Sequence, residues 1–513
     1  MKNRGIFVKI ILAAVIFTLS MPGVALAEGK STKIGQEDLI YFLMTDRFYN
    51  GDNSNDQDIK PDSLSGYHGG DFQGIIDKLD YIKDLGFTSI WISPVVENQV
   101  AGYHGYWATD FYKTNEHFGS LEKLKELVQK AHEKGIKVIV DIVVNHTGLM
   151  HPWNDDPKYE SWFNDWGNIS DYSNQEEVEK GKLSSLPDFN QDNPEVKKYL
   201  IDMAKWWIKE TGIDGYRLDT VRHVPKSFWT EFVNEIKKDY PDFYFIGEVF
   251  DGNWNYVAGY QKTGMDGLVD FPMHYVIGDV FGNNQPAGRL AEGIEQANAY
   301  PNKYLMGTFI DNHDVPRFIS QITDFTEERL KQAIAFTMTY TGIPVMYYGT
   351  EIALDGGADP DNRRDMDWNA KSAVTDYVKK LASVRKANKA LTHGDIKIIK
   401  LEDDFICYRR SFEDNTVIVA FNISDKEKTT EMQFDDKIGS KSGLLTSLLE
   451  PAETKFKKGK FELSVAPRGV KVFQVKETNM ANITIIVVCA AVVIVVAVIV
   501  AILIVRARKK TKN

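Results

Sequence analysis

The chain has 513 residues, 43% of them hydrophobic, with 61 Lys and Arg against 72 Asp and Glu and only 2 Cys. That is enough apolar material for two or three cores, and a net charge of −11 argues against a nucleic-acid partner, because phosphate binding needs clustered positive charge. The charge is unevenly spread: without Lys2, Arg4 and Lys9 at one end and Arg506, Arg508, Lys509, Lys510 and Lys512 at the other, the stretch 28–505 stands at −19.

Residues 1–27 read as a secretory signal peptide. A basic start leads into the apolar run Ile10–Leu19, a break at Pro22-Gly23 and an A-x-A cleavage site at Ala25-Leu26-Ala27. The mature chain is expected to begin at Glu28. From residue 38, β-branched and aromatic runs alternate with helical stretches, at Leu39–Met44, Ser89–Ser93, Lys137–Val144, Gly215–Leu218, Phe243–Gly247, Gly267–Phe271, Leu305–Ile310 and Ile343–Tyr348. Between the second and third, Ser120 caps a helix whose Leu121, Leu124, Leu127, Val128 and Ala131 keep helical spacing until Gly135. Asn193-Pro194 opens another, continued by Val196, Leu200, Met203 and Trp207. Lys137–Val144 is apolar at nearly every position, as a parallel strand covered on both faces would be.

Eight strand–helix alternations predict an α/β fold, a (β/α)8 barrel over 28–392, longer than the ~250 residues a bare barrel needs. The surplus sits at 147–192, rich in Asp, Asn, Trp, Gly and Pro, which is expected to form a small irregular lobe over the strand ends after strand three. Beyond residue 392 the helices stop, and Ile396–Ile399, Phe405–Arg410, Thr416–Asn422 and Gly469–Val475 predict an antiparallel β-sandwich over 393–477. A linker at 478–481 follows. Ile483–Val505 is uncharged and almost wholly Ile, Val, Ala and Leu; at ~1.5 Å per residue it would extend ~34 Å, enough to cross a bilayer. A transmembrane helix is therefore expected over 482–505, with the basic tail 506–513 cytoplasmic and 28–481 outside the cell. Cys489 falls within that span and Cys407 outside it, so no disulfide is expected between them.

A barrel of this kind carries its chemistry at the C-terminal strand ends. Those ends present Asp141 and Asn145-His146, then Arg217, Asp219 and His223, then Glu248, then Asn312-His313-Asp314. Each group alone is weak, since a lone strand-end acid is often a solvated carboxylate or a helix cap. Together, Asp219, Glu248 and Asp314 would converge on the mouth. Breaking a glycosidic bond requires a proton donor for the leaving oxygen and a carboxylate beside the anomeric carbon. Crowded carboxylates raise at least one pKa, which leaves one protonated acid near neutral pH. Arg217, two residues before Asp219, faces the same side of its strand and would keep Asp219 ionised.

These segments resemble the conserved regions of the α-amylase family of retaining glycoside hydrolases (family 13). The matches are DIVVNH at 141–146, GYRLDTVRH at 215–223, GEV at 247–249 and FIDNHD at 309–314, with GFTSIWISP at 86–94, LPDFN at 186–190 and GIPVMYYGTE at 342–351 resembling three auxiliary regions. The resemblance implies Asp219 as nucleophile, Glu248 as general acid/base and Asp314 as a grip on the distorted sugar ring. It further implies that Arg217, His146 and His313 line that subsite and that Tyr106 of HGYW stacks on the ring. Asp359 and Arg363 of GGADPDNR would hold the next sugar, and His104, Arg222 and His223, within matched motifs, would also contact substrate. A structural Ca²⁺ shared by lobe and barrel is implied at Asn145, Asp188 and the backbone carbonyl of His223, oxygen ligands suited to that hard ion, with a further ligand from 160–180. Ordinary packing is the reading for His117, His132 and His393. It is also the favoured one for Trp206-Trp207, a glucan-stacking platform being the other.

The activity so implied is endo-acting hydrolysis of α-1,4-glucosidic bonds in starch and related glucans by an exported, membrane-anchored monomer. LPDFN, rather than a sequence beginning QPD or MPK, argues by resemblance against an oligo-1,6-glucosidase or a neopullulanase. A cyclodextrin-forming transglycosylase shares the covalent intermediate, but the absence of a starch-binding domain after residue 475 counts against it. Some amylase-like barrels are catalytically silent ectodomains that escort transporters; those usually place the membrane helix before the barrel and lack part of the acid triad, unlike this chain.

Overall fold

A computed structural model describes residues 33–434, 438–477, 494–504 and 506. The expected signal peptide, the linker and the first half of the expected span lie outside the described residues. Residues 494–504 are helical with exposed apolar side chains, and among the described residues no helix is long and apolar enough to cross a membrane.

Ten strands belong to the first domain. Eight of them, β1 (Ile40–Leu43), β2 (Ser89–Ile92), β5 (Lys137–Ile142), β6 (Gly215–Leu218), β7 (Tyr244–Gly247), β8 (Gly267–Leu268), β9 (Gly307–Thr308) and β10 (Ile343–Tyr347), pair in parallel in the order β8-β7-β6-β5-β2-β1-β10-β9. A parallel bridge between Val269 and Gly307 joins the two ends and closes the barrel. All eight runs read from the sequence are present, and the strands are buried almost throughout, as both-sided cover demands. Two are shorter than their apolar composition suggests. Phe271 is not the end of β8 but opens the helix Phe271–Ile277, with Asp270 capping the Met273 amide and Pro272 at the first turn. Leu305 closes a 3-10 turn (Lys303–Leu305) before β9. The wall is tight there, since a Cβ on Gly267 would lie 1.8 Å from the Leu305 carbonyl oxygen.

The helix Leu121–Glu133 begins where Ser120 accepts from the Lys123 amide, and Gly135 takes a φ of +73° just past its end. The helix Pro194–Thr211 begins where Asn193 accepts from the Glu195 amide. A short antiparallel pair, β3 (Val96–Asn98) and β4 (Ala108–Thr114), rises beside β2. The segment 147–192 holds only 3-10 turns and the six-residue helix Gln175–Lys180. Its return strand docks on the barrel through an antiparallel bridge between His146 and Asp188.

The helix Lys389–His393 closes the barrel's share of the chain, and β11 (Asp395–Glu402), β12 (Phe405–Phe412), β13 (Asn415–Asn422), β14 (Lys428–Gln433), β15 (Gly443–Ser447), β16 (Glu453–Phe456), β17 (Lys460–Val465) and β18 (Val470–Glu477) follow. They form a six-stranded antiparallel sheet, β11-β12-β13-β18-β15-β16, and the pair β14-β17. Phe405, Cys407, Met432, Phe434, Phe461 and Phe473 fill a separate core; the Cys407 thiol is free and buried. The two domains are joined by buried polar contacts, with Arg410 Nη1 donating to Thr339 O at 2.6 Å and Gln332 Nε2 to Asn422 O at 2.7 Å.

Candidate active site

The parallel ladder continues one residue past two strands and so fixes the backbone of two acids. The Asp219 amide donates to Ile142 O at 3.1 Å, and the Glu248 amide to Leu218 O at 2.9 Å. Both side chains then emerge at the same mouth. Alternation along β6 turns Arg217 to the same side, and the β5–β6 register sets it opposite Asp141.

The Arg217 guanidinium is buried at the centre of the cluster. Its Nη1 donates to Asp219 Oδ1 at 2.6 Å and to both Asp141 oxygens at 3.0–3.1 Å, while Nη2 pairs with Glu248 Oε1. Trp91 packs over it at 5.3 Å from ring centre to Cζ, and the Trp91 indole and the Tyr106 hydroxyl both donate to Asp141 Oδ2. One cation thus serves three buried carboxylates, which cannot all be ionised at low cost.

The surroundings favour a proton on Glu248, and burial also raises Asp141, to about 7, against the opposing charge of Arg217. Burial raises the Glu248 pKa well above the ordinary glutamate value, Arg217 opposes this, and the charges of Asp219 and Asp314 reinforce it. Its other oxygen accepts from the Thr220 amide at 3.0 Å. Asp314 moves the other way. Burial acts to raise it, but His313, Arg363, Arg217 and a hydrogen bond from the Glu248 side chain together hold it below the usual aspartate range. Environments that push apart the pKa values of neighbouring acids separate a proton donor from an acceptor.

Around these acids the ring of Tyr106 lies 5.2 Å from that of His313 at an interplanar angle of 12°. Burial keeps His313 neutral, down at about 3, with Arg363 and Arg217 adding to the effect against Asp314. Arg363 donates from Nε to His313 O at 2.8 Å and reaches Asp314 Oδ1 at 3.4 Å and Asp359 Oδ1 at 3.1 Å. Asn362 bonds the same His313 carbonyl at 2.9 Å. His104 Nδ1 accepts from the Tyr106 amide at 3.1 Å, and His146 Nε2 meets Tyr106 O at 3.1 Å.

Two residues expected here sit elsewhere. Arg222 ties the lobe to the loop after β7, donating to Phe250 O, Asp251 Oδ2 and Tyr172 O, and His223 turns its ring to Val178 O at 3.2 Å in the lobe helix. Three residues carry more than the strand-end reading assigned them. Asp141 is the second anchor of Arg217, and its signal was a lone charge inside an otherwise apolar strand. Trp91 and Asn362 bore no such signal, because an apolar strand position and a loop amide look alike in any chain.

The residues expected to hold Ca²⁺ fit such an ion. His146 Nε2 must donate to the Tyr106 carbonyl, so its Nδ1 accepts from Asn145 Nδ2 at 3.2 Å. That turns Asn145 Oδ1 away, buried and without a partner, and Asp188 Oδ1 is likewise buried and unpartnered. The Asn145 amide lies within hydrogen-bonding reach of Asp188, whose other oxygen accepts from Asn164 Nδ2 at 2.8 Å. Two orphaned buried oxygens on adjoining strands match the needs of a hard cation. No cluster of three or more His, Cys, Asp or Glu suited to a metal occurs among the described residues, so the remaining ligands would be carbonyls, amides or water.

Residues 42–390 match the family model for the α-amylase catalytic domain, and 394–473 the model for the α-amylase C-terminal domain. The β/α-amylase of Paenibacillus polymyxa is 40% identical over 85% of the chain, which spans 37% of that longer relative. The crystal structure of an Anoxybacillus α-amylase superposes with a TM-score of 0.83 at 44% identity, covering 86% of this chain and 99% of that one. A cyclomaltodextrin glucanotransferase with a three-domain ABC organisation superposes at 0.78 and 35% identity, covering 86% and 99%. The chain therefore belongs to the α-amylase family, as its catalytic barrel and C-terminal domain together establish.

Proposed function

We propose that the protein is a retaining glycosidase that cleaves α-1,4 bonds inside starch-like glucans. The observation that carries this is the shared guanidinium of Arg217, which holds Asp219 and Glu248 at one mouth while Asp314 bonds Glu248. The Glu248 proton passes to the glycosidic oxygen as that bond breaks, and an Asp219 oxygen attacks the anomeric carbon, forming a glycosyl-aspartate. Glu248, now ionised, takes a proton from water, whose oxygen displaces Asp219 and restores both acids. Tyr106 offers its ring to the sugar, and Asp314 with His313 and Arg363 grips the hydroxyls. A Ca²⁺ at Asn145, Asp188 and the His223 carbonyl would supply a tie between lobe and barrel.

Transfer of the glycosyl unit to a sugar acceptor is the second reading. The expectation that such an enzyme would carry a starch-binding domain beyond residue 475 has no weight, because a cyclomaltodextrin glucanotransferase with a three-domain organisation superposes on 86% of this chain. Product analysis on soluble starch separates the two: rapid loss of iodine staining with linear mixed oligosaccharides supports endo-hydrolysis, and cyclic products would overturn it. Export and anchoring belong to the same proposal, supported by the A-x-A site at 25–27, the uncharged run 483–505 and the basic tail. Activity that sediments with membranes and is freed by limited proteolysis is the expected result; wholly soluble activity of the intact chain would refute the anchor.

A further inference from the structure

Residues 394–477 carry 15 basic and 15 acidic side chains, so the net −19 of the stretch 28–505 lies wholly on the barrel's share of the chain. Within the C-terminal domain the charges are sorted. Residues 438–477 hold eight Lys and Arg against four Asp and Glu; Asp435, Asp436 and Lys437, which precede them, lie outside the described residues. The strand pairings gather six of those lysines at one corner. Leu444 pairs with Lys455 on one side and with Lys476 on the other, so both lysines share its face of the sheet. Beside them Lys457 and Lys460 bridge across a turn whose Gly459, at a φ of +74°, donates its amide to Lys441 O at 2.8 Å, and the Lys458 amide donates to Ser442 Oγ at 3.1 Å. All six side chains are exposed. Lys441 pairs with Glu477, and among the described residues the other five have no carboxylate partner.

Five unpaired ammonium groups at one corner repel one another, and the fold leaves them so although acids abound elsewhere. The corner is also where the chain leaves the domain. β18 ends at Glu477, opposite Gly443, and the six Cα steps from there to Ile483, where the uncharged run begins, span at most about 22 Å. A bilayer holding that run therefore keeps this corner close to its headgroups, and the long lysine stems carry the charges toward them. An anionic lipid surface strengthens binding by about fivefold for each lysine beside it, over roughly a Debye length. The same surface repels the acidic barrel, so attraction at one end and repulsion at the other select a single orientation.

We propose that the corner formed by Lys441, Lys455, Lys457, Lys458, Lys460 and Lys476 docks on anionic phosphate headgroups of the bilayer that holds the anchor, so that the enzyme stands on its C-terminal domain with the acidic barrel held off the surface. This rests on the anchored reading above. The test reconstitutes the full chain in vesicles of phosphatidylcholine alone or of phosphatidylcholine mixed with phosphatidylglycerol. A membrane-impermeant acylating reagent then labels exposed lysines, and peptide mass spectrometry reads the rate at each. At low salt, Lys457, Lys458 and Lys460 are expected to label at least about fivefold more slowly in the anionic vesicles. The difference is expected to vanish near ~1 M salt, where the Debye length is about 3 Å, and Lys209 and Lys380 on the barrel, both exposed, label alike in the two lipids. K457Q/K458Q/K460Q is expected to return Lys455 and Lys476 to their phosphatidylcholine rates, with kcat/KM on a soluble maltooligosaccharide and the thermal midpoint unchanged. Equal labelling of the corner in both lipids overturns the docking, as does a slowing that survives high salt or extends to Lys209 and Lys380. Flotation separates the two readings. A chain that floats only with anionic vesicles and is released by salt upholds the docking surface and sinks the anchor, and one that floats with neither sinks both.

Discussion

Arg217 is the residue on which the acid cluster turns, and its replacement by lysine can be worked through from the contacts. Nη1 serves Asp219 and Asp141, and Nη2 serves Glu248. A lysine ammonium keeps the charge but is a point donor and cannot span two carboxylates as the planar fork does. With one side released, a hydrogen bond to a charged group worth about 1.5–3 kcal/mol is lost. If it acts fully in the transition state, kcat/KM falls by about 10- to 150-fold. The change in pH profile has a definite sign. Arg217 acts to lower the Glu248 pKa against burial, so weakening that contact raises it further. Activity needs protonated Glu248 and is lost as pH rises through its pKa, so the alkaline limb of kcat/KM moves to higher pH in R217K. The assay is a kcat/KM profile on a blocked maltooligosaccharide, with the thermal midpoint as a check on folding. A folded R217K with activity within twofold of wild type and an unmoved alkaline limb would show that the Arg217 fork does not set the state of Glu248.

Glu248→Gln cannot donate or accept the catalytic proton; it is expected to lose its alkaline limb and to keep only the first, glycosylating step, seen as a burst of leaving group, on substrates whose leaving group needs no protonation, and equal losses of that first step on aryl-activated and natural substrates would argue against the acid role. Chelation should lower the thermal midpoint of the wild type, whereas Asp188→Ala should start lower and be indifferent to chelator; a wild type without bound metal and without chelator response removes the calcium site. The sugar freed from the intermediate is expected to keep the α configuration at its new reducing end, as for a retaining pair of carboxyl groups, which at ~5–5.5 Å apart leaves no room for a water on the far side of the ring. Proton NMR of early products reads this directly, and a β anomer would indicate inversion.

Much of this was legible in the sequence because it depends on local periodicity. All eight barrel strands and the caps at Ser120 and Asn193 follow from residue spacing and capping chemistry. The three acids that meet at the mouth, Asp219, Glu248 and Asp314, stand at the strand ends where the sequence placed them. What escaped depends on contacts between distant segments. Among the described residues β14 and β17 form a separate two-stranded ladder, and KTTEMQ carries too few apolar residues to announce a strand. Arg222 and His223 lie in the motif that carries Asp219, yet the turn Val221–His223 swings them toward the lobe, where carbonyls satisfy them. The role of Asp141 needed the β5–β6 register, which no single strand contains. Trp206 and Trp207 are adjacent and chemically alike; only the packing of β4 against their helix decides which one faces out.

In the proposed mechanism Asp219 becomes covalently glycosylated while Glu248 handles the proton. Incubation with a fluorinated maltosyl fluoride, which forms the intermediate faster than it is hydrolysed, followed by intact-mass and peptide mapping, tests it most directly. The expected result is one added glycosyl unit per chain, on Asp219. A label on Glu248 or Asp314, or rapid turnover of the reagent to the inverted sugar with no label, would contradict it.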